Sequence, residues 1–179
     1  MEVQMKNILI VVDMQMDFIS GALGTPEARA IVENAVQKIR AFEGDILVTF
    51  DTHHENYLET AEGKKLPVPH CIAGTDGWQL DERIEKALDG KSWQAVEKPS
   101  FGSTRLPGMV QEIVGNDHDL SIELIGLCTD ICVVSNAMIL KAHFPEAAIK
   151  VDSACCAGVT PETHRAALST MACCQIEIQ

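Results

Sequence analysis

Asn7 to Val12 reads NILIVV and is closed by Asp13. An apolar run of this length bounded by a polar residue reads as a buried strand, and it is the first of a series. Asp45 to Phe50, Trp93 to Glu97, Leu120 to Ile125, Ala147 to Val151 and Gln175 to Ile178 repeat it. Between these runs the period becomes helical. Thr25 can cap a helix with Pro26 at its first position, Glu27 near its positive end and Ile31, Ala35, Val36 and Ile39 on one face, with Gly44 as a stop. Further helices are predicted over Leu80 to Leu88, Leu106 to Val114, Thr129 to His143 and Pro161 to Ala172. The alternation predicts a three-layer α/β/α fold around a doubly wound, mostly parallel six-stranded sheet. The interval of about residues 52–78 has no clear periodicity and is predicted to be a loop insertion, a kind of segment that is commonly functional inside a compact domain. No repeat, low-complexity tract or linker divides the chain, so residues 1–179 are expected to form a single domain.

Composition narrows the function. Of the 179 residues, 46% are hydrophobic and 22% charged, the balance of a packed globule. A formal net charge of −12 argues against nucleic acid or an anionic membrane surface as a partner. No apolar run approaches the ~20 residues of a membrane span. The start, MEVQMKN, lacks the cationic flank and apolar core of a signal peptide, so a cytoplasmic protein is expected. The seven cysteines include the adjacent pairs Cys155-Cys156 and Cys173-Cys174, which are not a spaced disulfide framework. They are expected to be mostly reduced thiols, with the two pairs acting as small buried hydrophobes.

In a Rossmann-like open sheet the site lies beyond the carboxyl ends of the strands, where the strand order reverses. That rule selects Asp13 after the first strand, Asp51 and His53 after the second, Lys98 after the third and Cys132 at the helix after the fourth. Singly, each has a plainer reading as a cap, a solvated charge or a core thiol; their joint placement is what points to chemistry. Asp51 and His53 are two apart, so in extended chain both side chains point the same way, which suits a metal.

The motifs IVVDMQMDF, FDTH, PHCIAGT, EKPSFG and GLCTDICV occur in that order. Over about Ile8 to Gly158 the chain resembles the isochorismatase-like cysteine hydrolases, the nicotinamidases in particular. The resemblance implies a catalytic triad of Asp13, Lys98 and Cys132. Physical chemistry agrees with these roles: a thiol attacks as thiolate, favoured by a cation and a helix N-terminus, and a nearby carboxylate can carry the proton to the leaving group. The tetrahedral oxyanion would be met by backbone N–H groups of Cys128 and Cys132, and the resemblance implies a cis peptide at Leu127-Cys128.

It also implies a divalent metal (Zn, Fe or Mn) held by Asp51, His53 and His70. Where many nicotinamidases place a further His, this chain offers Glu55, Glu59 and Glu62; the resemblance favours Glu62, which stands at about the distance where some relatives place a carboxylate. His54 is expected to face away, Cys71 to lie outside the ligand set, and His118, His143 and His164 to sit on the surface. Phe18 and Phe101 are expected to flank a flat substrate ring. The expected activity is hydrolysis of a small carboxamide, nicotinamide to nicotinate and ammonia, by a homo-oligomer. Alternatives in the family are N-carbamoylsarcosine, ureidoacrylate and isochorismate hydrolases. Isochorismate, an anion, would want an arginine in the pocket, and only Arg105 lies near a motif. A non-catalytic metal or thiol-redox protein is the alternative of another class, disfavoured because no CxxC occurs.

Overall fold

A computed structural model describes residues 5–115 and 119–179. Strand β1 (Lys6–Val12) lies at the centre of a six-stranded sheet, between β2 (Asp45–Asp51) and β4 (Leu120–Leu127). With β3 (Trp93–Lys98), β5 (Ala148–Ala157) and β6 (Glu177–Ile178) the order is β3-β2-β1-β4-β5-β6, every pair parallel. The order reverses between β1 and β4. A crevice therefore opens beyond Val12 and Leu127, the two ends that lead to Asp13 and Cys132.

Both faces of the sheet are covered, which is why the central strands are continuous apolar runs. Leu9, Val11, Ile46 and Val48 pack on one side against α2 (Pro26–Ala41), which follows the single-turn α1 (Met16–Ile19), and α4 (Glu82–Ala87). Ile8, Ile10, Val12, Leu47 and Leu124 pack on the other, against α5 (Leu106–Val114), α6 (Val134–His143) and α7 (Pro161–Cys173). Helix α2 starts as expected: Thr25 Oγ1 accepts the Ala28 N–H at 3.0 Å and Pro26 follows. Helix α4 starts later than the apolar pattern suggests, because Asp81 is its cap and Leu80 instead bridges to Gln15. Among the described residues no helix is long and apolar enough to cross a membrane.

Three readings are corrected. Strand β5 does not stop at Val151 but runs to Ala157, because Lys38 pairs with the Asp152 carboxylate at 2.8 Å and so accommodates a charge in mid-strand. The 52–78 interval is not irregular: it holds α3 (Ala61–Lys65), capped by Thr60, and short 3₁₀ turns at Tyr57–Glu59 and Asp76–Trp78. Buried Tyr57 fastens it, its hydroxyl donating to Leu66 O at 2.9 Å. A five-residue helix is too short to display a period. The third correction concerns the cysteine pairs. Cys155 and Cys156 are buried on opposite faces of the sheet, but Cys173 and Cys174 are exposed, since α7 projects its last turn past the core.

Candidate active site

Strand β1 delivers Asp13 into the crevice with φ of 47°, a left-handed turn that a non-glycine residue adopts only when its surroundings hold it there. Thr49 on β2 provides that hold: its Oγ1 donates to Asp13 Oδ1 at 2.6 Å, and its carbonyl accepts the Asp13 N–H at 3.2 Å. Lys98, the last residue of β3, is fully buried. Its Nζ reaches Asp13 Oδ2 at 2.6 Å, Asp51 Oδ1 at 3.2 Å, Ser100 O at 3.0 Å and Cys132 Sγ at 3.4 Å. The three residues assigned to a triad thus meet, from segments more than thirty positions apart.

Cys132 sits in a turn wound as a π-helix over Thr129–Val133, directly before α6. The Cys128 carbonyl accepts the N–H groups of Ile131 and Val133, each at 3.1 Å, and passes over that of Cys132 between them. The Leu127-Cys128 peptide is cis, as expected. Behind the turn, buried Asn136 donates to Cys132 O at 2.8 Å and accepts the Ser103 N–H at 2.9 Å, tying α6 to the segment after β3.

Burial dominates the electrostatics. It pushes the Cys132 thiol well above its ordinary range, with Asp13 adding to the rise and Lys98 opposing it. It also raises the Asp13 carboxyl against the pull of Lys98. Burial alone would lower Lys98, but Asp13, Cys132 and Asp51 outweigh it and hold the ammonium charged. Burial thus opposes the thiolate that the nearby cation favours, and Asp13 is the group beside the sulfur that can take its proton.

A second cluster adjoins the first through Asp51. Asp51, His53, Glu62 and His70 bring one potential ligand atom each to within 4.8 Å of one another. His53 Nε2 approaches Asp51 Oδ2 at 3.0 Å without meeting hydrogen-bond geometry, which leaves a buried nitrogen with no hydrogen-bond partner among the described residues. His70 Nδ1–H donates to Val68 O at 2.8 Å, turning the Nε2 lone pair toward Asp51 and Glu62, 3.4 and 3.6 Å away. Bonds of ~2.1 Å at tetrahedral angles would set neighbouring ligand atoms ~3.4 Å apart, so this donor set fits a divalent ion. Glu55, Glu59 and His54 are exposed outside the cluster, and buried Cys71, whose backbone N–H bonds to Asp17 Oδ2 at 2.8 Å, is not part of it.

Between the clusters lies a cavity of about 70 Å³ whose walls include Phe18, Leu66, His70, Phe101, Cys128 and Cys132. Phe18 meets His70 edge-on, with ring centroids 5.5 Å apart. Phe101 is 43% exposed and stands at the mouth, where a wider vestibule begins. Among the described residues no arginine lines the cavity, and Arg105 is exposed at the start of α5.

Sequence reasoning overlooked Gln15. It is fully buried; its amide accepts the Asp51 N–H at 2.8 Å and donates to Asp51 O at 2.9 Å and Trp78 O at 2.8 Å. The side chain thereby continues the β1–β2 pairing past the end of β1 and fixes Asp51 for both clusters. The polar alternation Asp13, Gln15, Asp17 in an apolar stretch was the available signal. Gln15→Leu is expected to cost roughly 2–4 kcal/mol, since each buried backbone group left unpaired costs ~1–3 kcal/mol. Urea unfolding reads this directly, and a loss below about 1 kcal/mol would mean the clamp matters little. Asn136 and His164 were also missed. His143 is exposed as expected, His164 is half-buried, and His118 lies outside the described residues.

Comparison with known proteins agrees with this architecture. A protein of Bacillus subtilis (strain 168) named "uncharacterized isochorismatase family protein PncA" is 28% identical over 179 residues, covering 94% of this chain and 95% of the relative. The crystal structure of nicotinamidase/pyrazinamidase PncA from Bacillus subtilis superposes with a TM-score of 0.82 at 28% identity, covering 97% of this chain and 99% of that one. Pyrazinamidase of Pyrococcus horikoshii in complex with zinc gives a TM-score of 0.76 at 25% identity, covering 97% and 98%. The model of the isochorismatase domain matches residues 7–178, from β1 to β6, and the chain belongs to the isochorismatase family.

Proposed function

We propose that this protein is a cysteine amidohydrolase that converts nicotinamide, or a closely similar heteroaromatic carboxamide, to the acid and ammonia. One observation carries the reading: Lys98 Nζ touches Asp13, Cys132 and Asp51 together, so nucleophile, proton carrier and ligand cluster meet at a single buried cation. The names of the B. subtilis and P. horikoshii relatives support the same substrate class.

Cys132 is the nucleophile. Asp13 takes the thiol proton as Sγ bonds to the carboxamide carbon, and the carbonyl electron pair moves onto oxygen. Backbone N–H groups of Cys128 and Cys132 receive that oxyanion. As the C–N bond breaks, Asp13 returns the proton to nitrogen and ammonia leaves, with a thioester on Cys132. Water then adds with Asp13 as base, the C–S bond breaks, and the thiol recovers a proton. Lys98 holds the carboxylate and sulfur in register throughout. Asp51, His53, Glu62 and His70 would hold a divalent ion such as Zn, Fe or Mn, which supplies a Lewis-acid anchor for a ring nitrogen. Phe18 and Phe101 border the ring.

Seven unpaired cysteines suit a reducing compartment such as the cytoplasm. Exposed Trp93 on the edge strand and Val159 support self-association into a homo-oligomer, and the reading takes residues 1–179 as one domain.

Ammonia release from nicotinamide by the purified protein tests the activity. Chelation is expected to lower it at least about 10-fold, with Zn, Fe or Mn restoring it, and His70→Ala should lose bound metal by elemental analysis. Turnover untouched by exhaustive chelation would remove the metal from the reading; no ammonia even with added metal would remove nicotinamide.

A further inference from the structure

Helix α7 and the segment that leads into it hold the nucleophile turn at two consecutive residues. Thr129, which opens the turn, is fully buried, and its Oγ1 lies 2.8 Å from His164 Nδ1. The next residue, Asp130, accepts the Val159 N–H on its carboxylate, at 3.2 Å to each oxygen. The gripping end is itself rigid: Thr160 and Thr163 form a capping box around Pro161, and the His164 N–H bonds to Thr160 O at 3.0 Å. Gly158 lies so close beneath the His164 backbone that a Cβ there would collide with it.

His164 also borders a cavity of about 240 Å³, together with Ile31, Cys156, Ala157 and Pro161. The bond to Thr129 is the hydrogen bond that orients the ring. A hydroxyl both donates and accepts, so either neutral tautomer can make this bond. Three residues after Thr129, in the same turn, stands Cys132.

We propose that His164 is a positioning residue for the hydrolytic reaction, holding Thr129 so that the Thr129–Val133 turn presents the Cys132 sulfur and its N–H to the carboxamide. The inference rests on Cys132 being the nucleophile. Its effect belongs to the transition state: small misplacement of a reacting group costs rate, up to ~100-fold for about 1 Å, while the ring-binding walls are untouched. His164 does not itself border the substrate cavity.

The test compares His164→Ala, His164→Asn and Thr129→Val with the unsubstituted protein. His164→Ala and Thr129→Val are each expected to lower kcat by about 10- to 100-fold with KM within about 3-fold. His164→Asn, whose amide can still bond the hydroxyl, should recover most of the rate. The double variant His164→Ala/Thr129→Val should be no worse than either single, because both remove one interaction. Hydrogen exchange gives a reading that needs no substrate: the Ile131 and Val133 amides should exchange at least about 10-fold faster in His164→Ala, with the sheet amides unchanged. Unchanged kcat and exchange, additive losses, or a fall of kcat only in step with global unfolding would overturn the proposal. If the unsubstituted protein hydrolyses no amide, the proposed function fails and hydrogen exchange alone decides whether His164 sets the turn.

Discussion

Cys132→Ala is expected to reduce amide hydrolysis by at least about 10,000-fold, because removing the nucleophile of a concerted set abolishes nearly all that the set achieves. The protein should stay folded. The lost sulfur lies in a buried site beside a small cavity, and Lys98 keeps Asp13, Asp51 and the Ser100 carbonyl as partners. The destabilisation should be on the order of 1 kcal/mol, the scale for deleting one small buried group. Acid quenching during turnover, followed by intact mass measurement, should find an acyl adduct on the unsubstituted protein and none on the variant. A variant retaining more than about 1% of the activity would mean that another group attacks the substrate.

Lys98→Met should remove activity and also unsettle the fold. The ammonium is fully buried between two carboxylates, Asp13 at 2.6 Å and Asp51 at 3.2 Å, and methionine leaves both facing each other without a cation. Breaking a buried ion pair from one side costs ~3–5 kcal/mol, which in a chain of this size lowers Tm by roughly 10 °C. The deficit should depend on pH with a definite sign. Burial raises the Asp13 carboxyl, and Lys98 is what restrains that rise; without it the carboxyl climbs further. The folded variant then binds a proton more tightly than the unfolded chain, so it loses stability as pH rises from the ordinary carboxylate range through the raised value. The Tm gap to the unsubstituted protein is therefore widest near neutrality and narrows toward pH 4. Adding Asp13→Asn should recover part of the Tm but none of the turnover. Equal melting of Lys98→Met and the unsubstituted protein at neutral pH would contradict this account.

The chemistry-bearing residues were legible because strand ends are legible. Asp13, Asp51, Lys98 and Cys132 each follow a run of apolar residues, and in a doubly wound sheet those ends converge on one edge. His70 and Glu62 were legible only through the resemblance, since the loop that carries them has no period. Its short helix and the Tyr57 anchor depend on contacts between residues distant in sequence. Asp152 and Ser153 interrupt the apolar pattern of β5, yet the strand continues because Lys38 arrives from α2. Cys173 and Cys174 look like core residues, but the helix that carries them outruns the core.

Local chemistry determined the order of elements, the parallel layered architecture, the residues at the strand ends and the family, because apolar period, caps and motifs are properties of short stretches. Only the tertiary structure decided how those groups are coupled: that Asp51 turns one oxygen to Lys98 and the other to the histidines, and that Gln15 clamps the backbone of Asp51. It also decided that burial, more than the nearby cation, governs the Cys132 thiol, and that His164 reaches Thr129. Distance and dielectric depend on which segments fold against one another, and both arise when the helices pack onto the sheet.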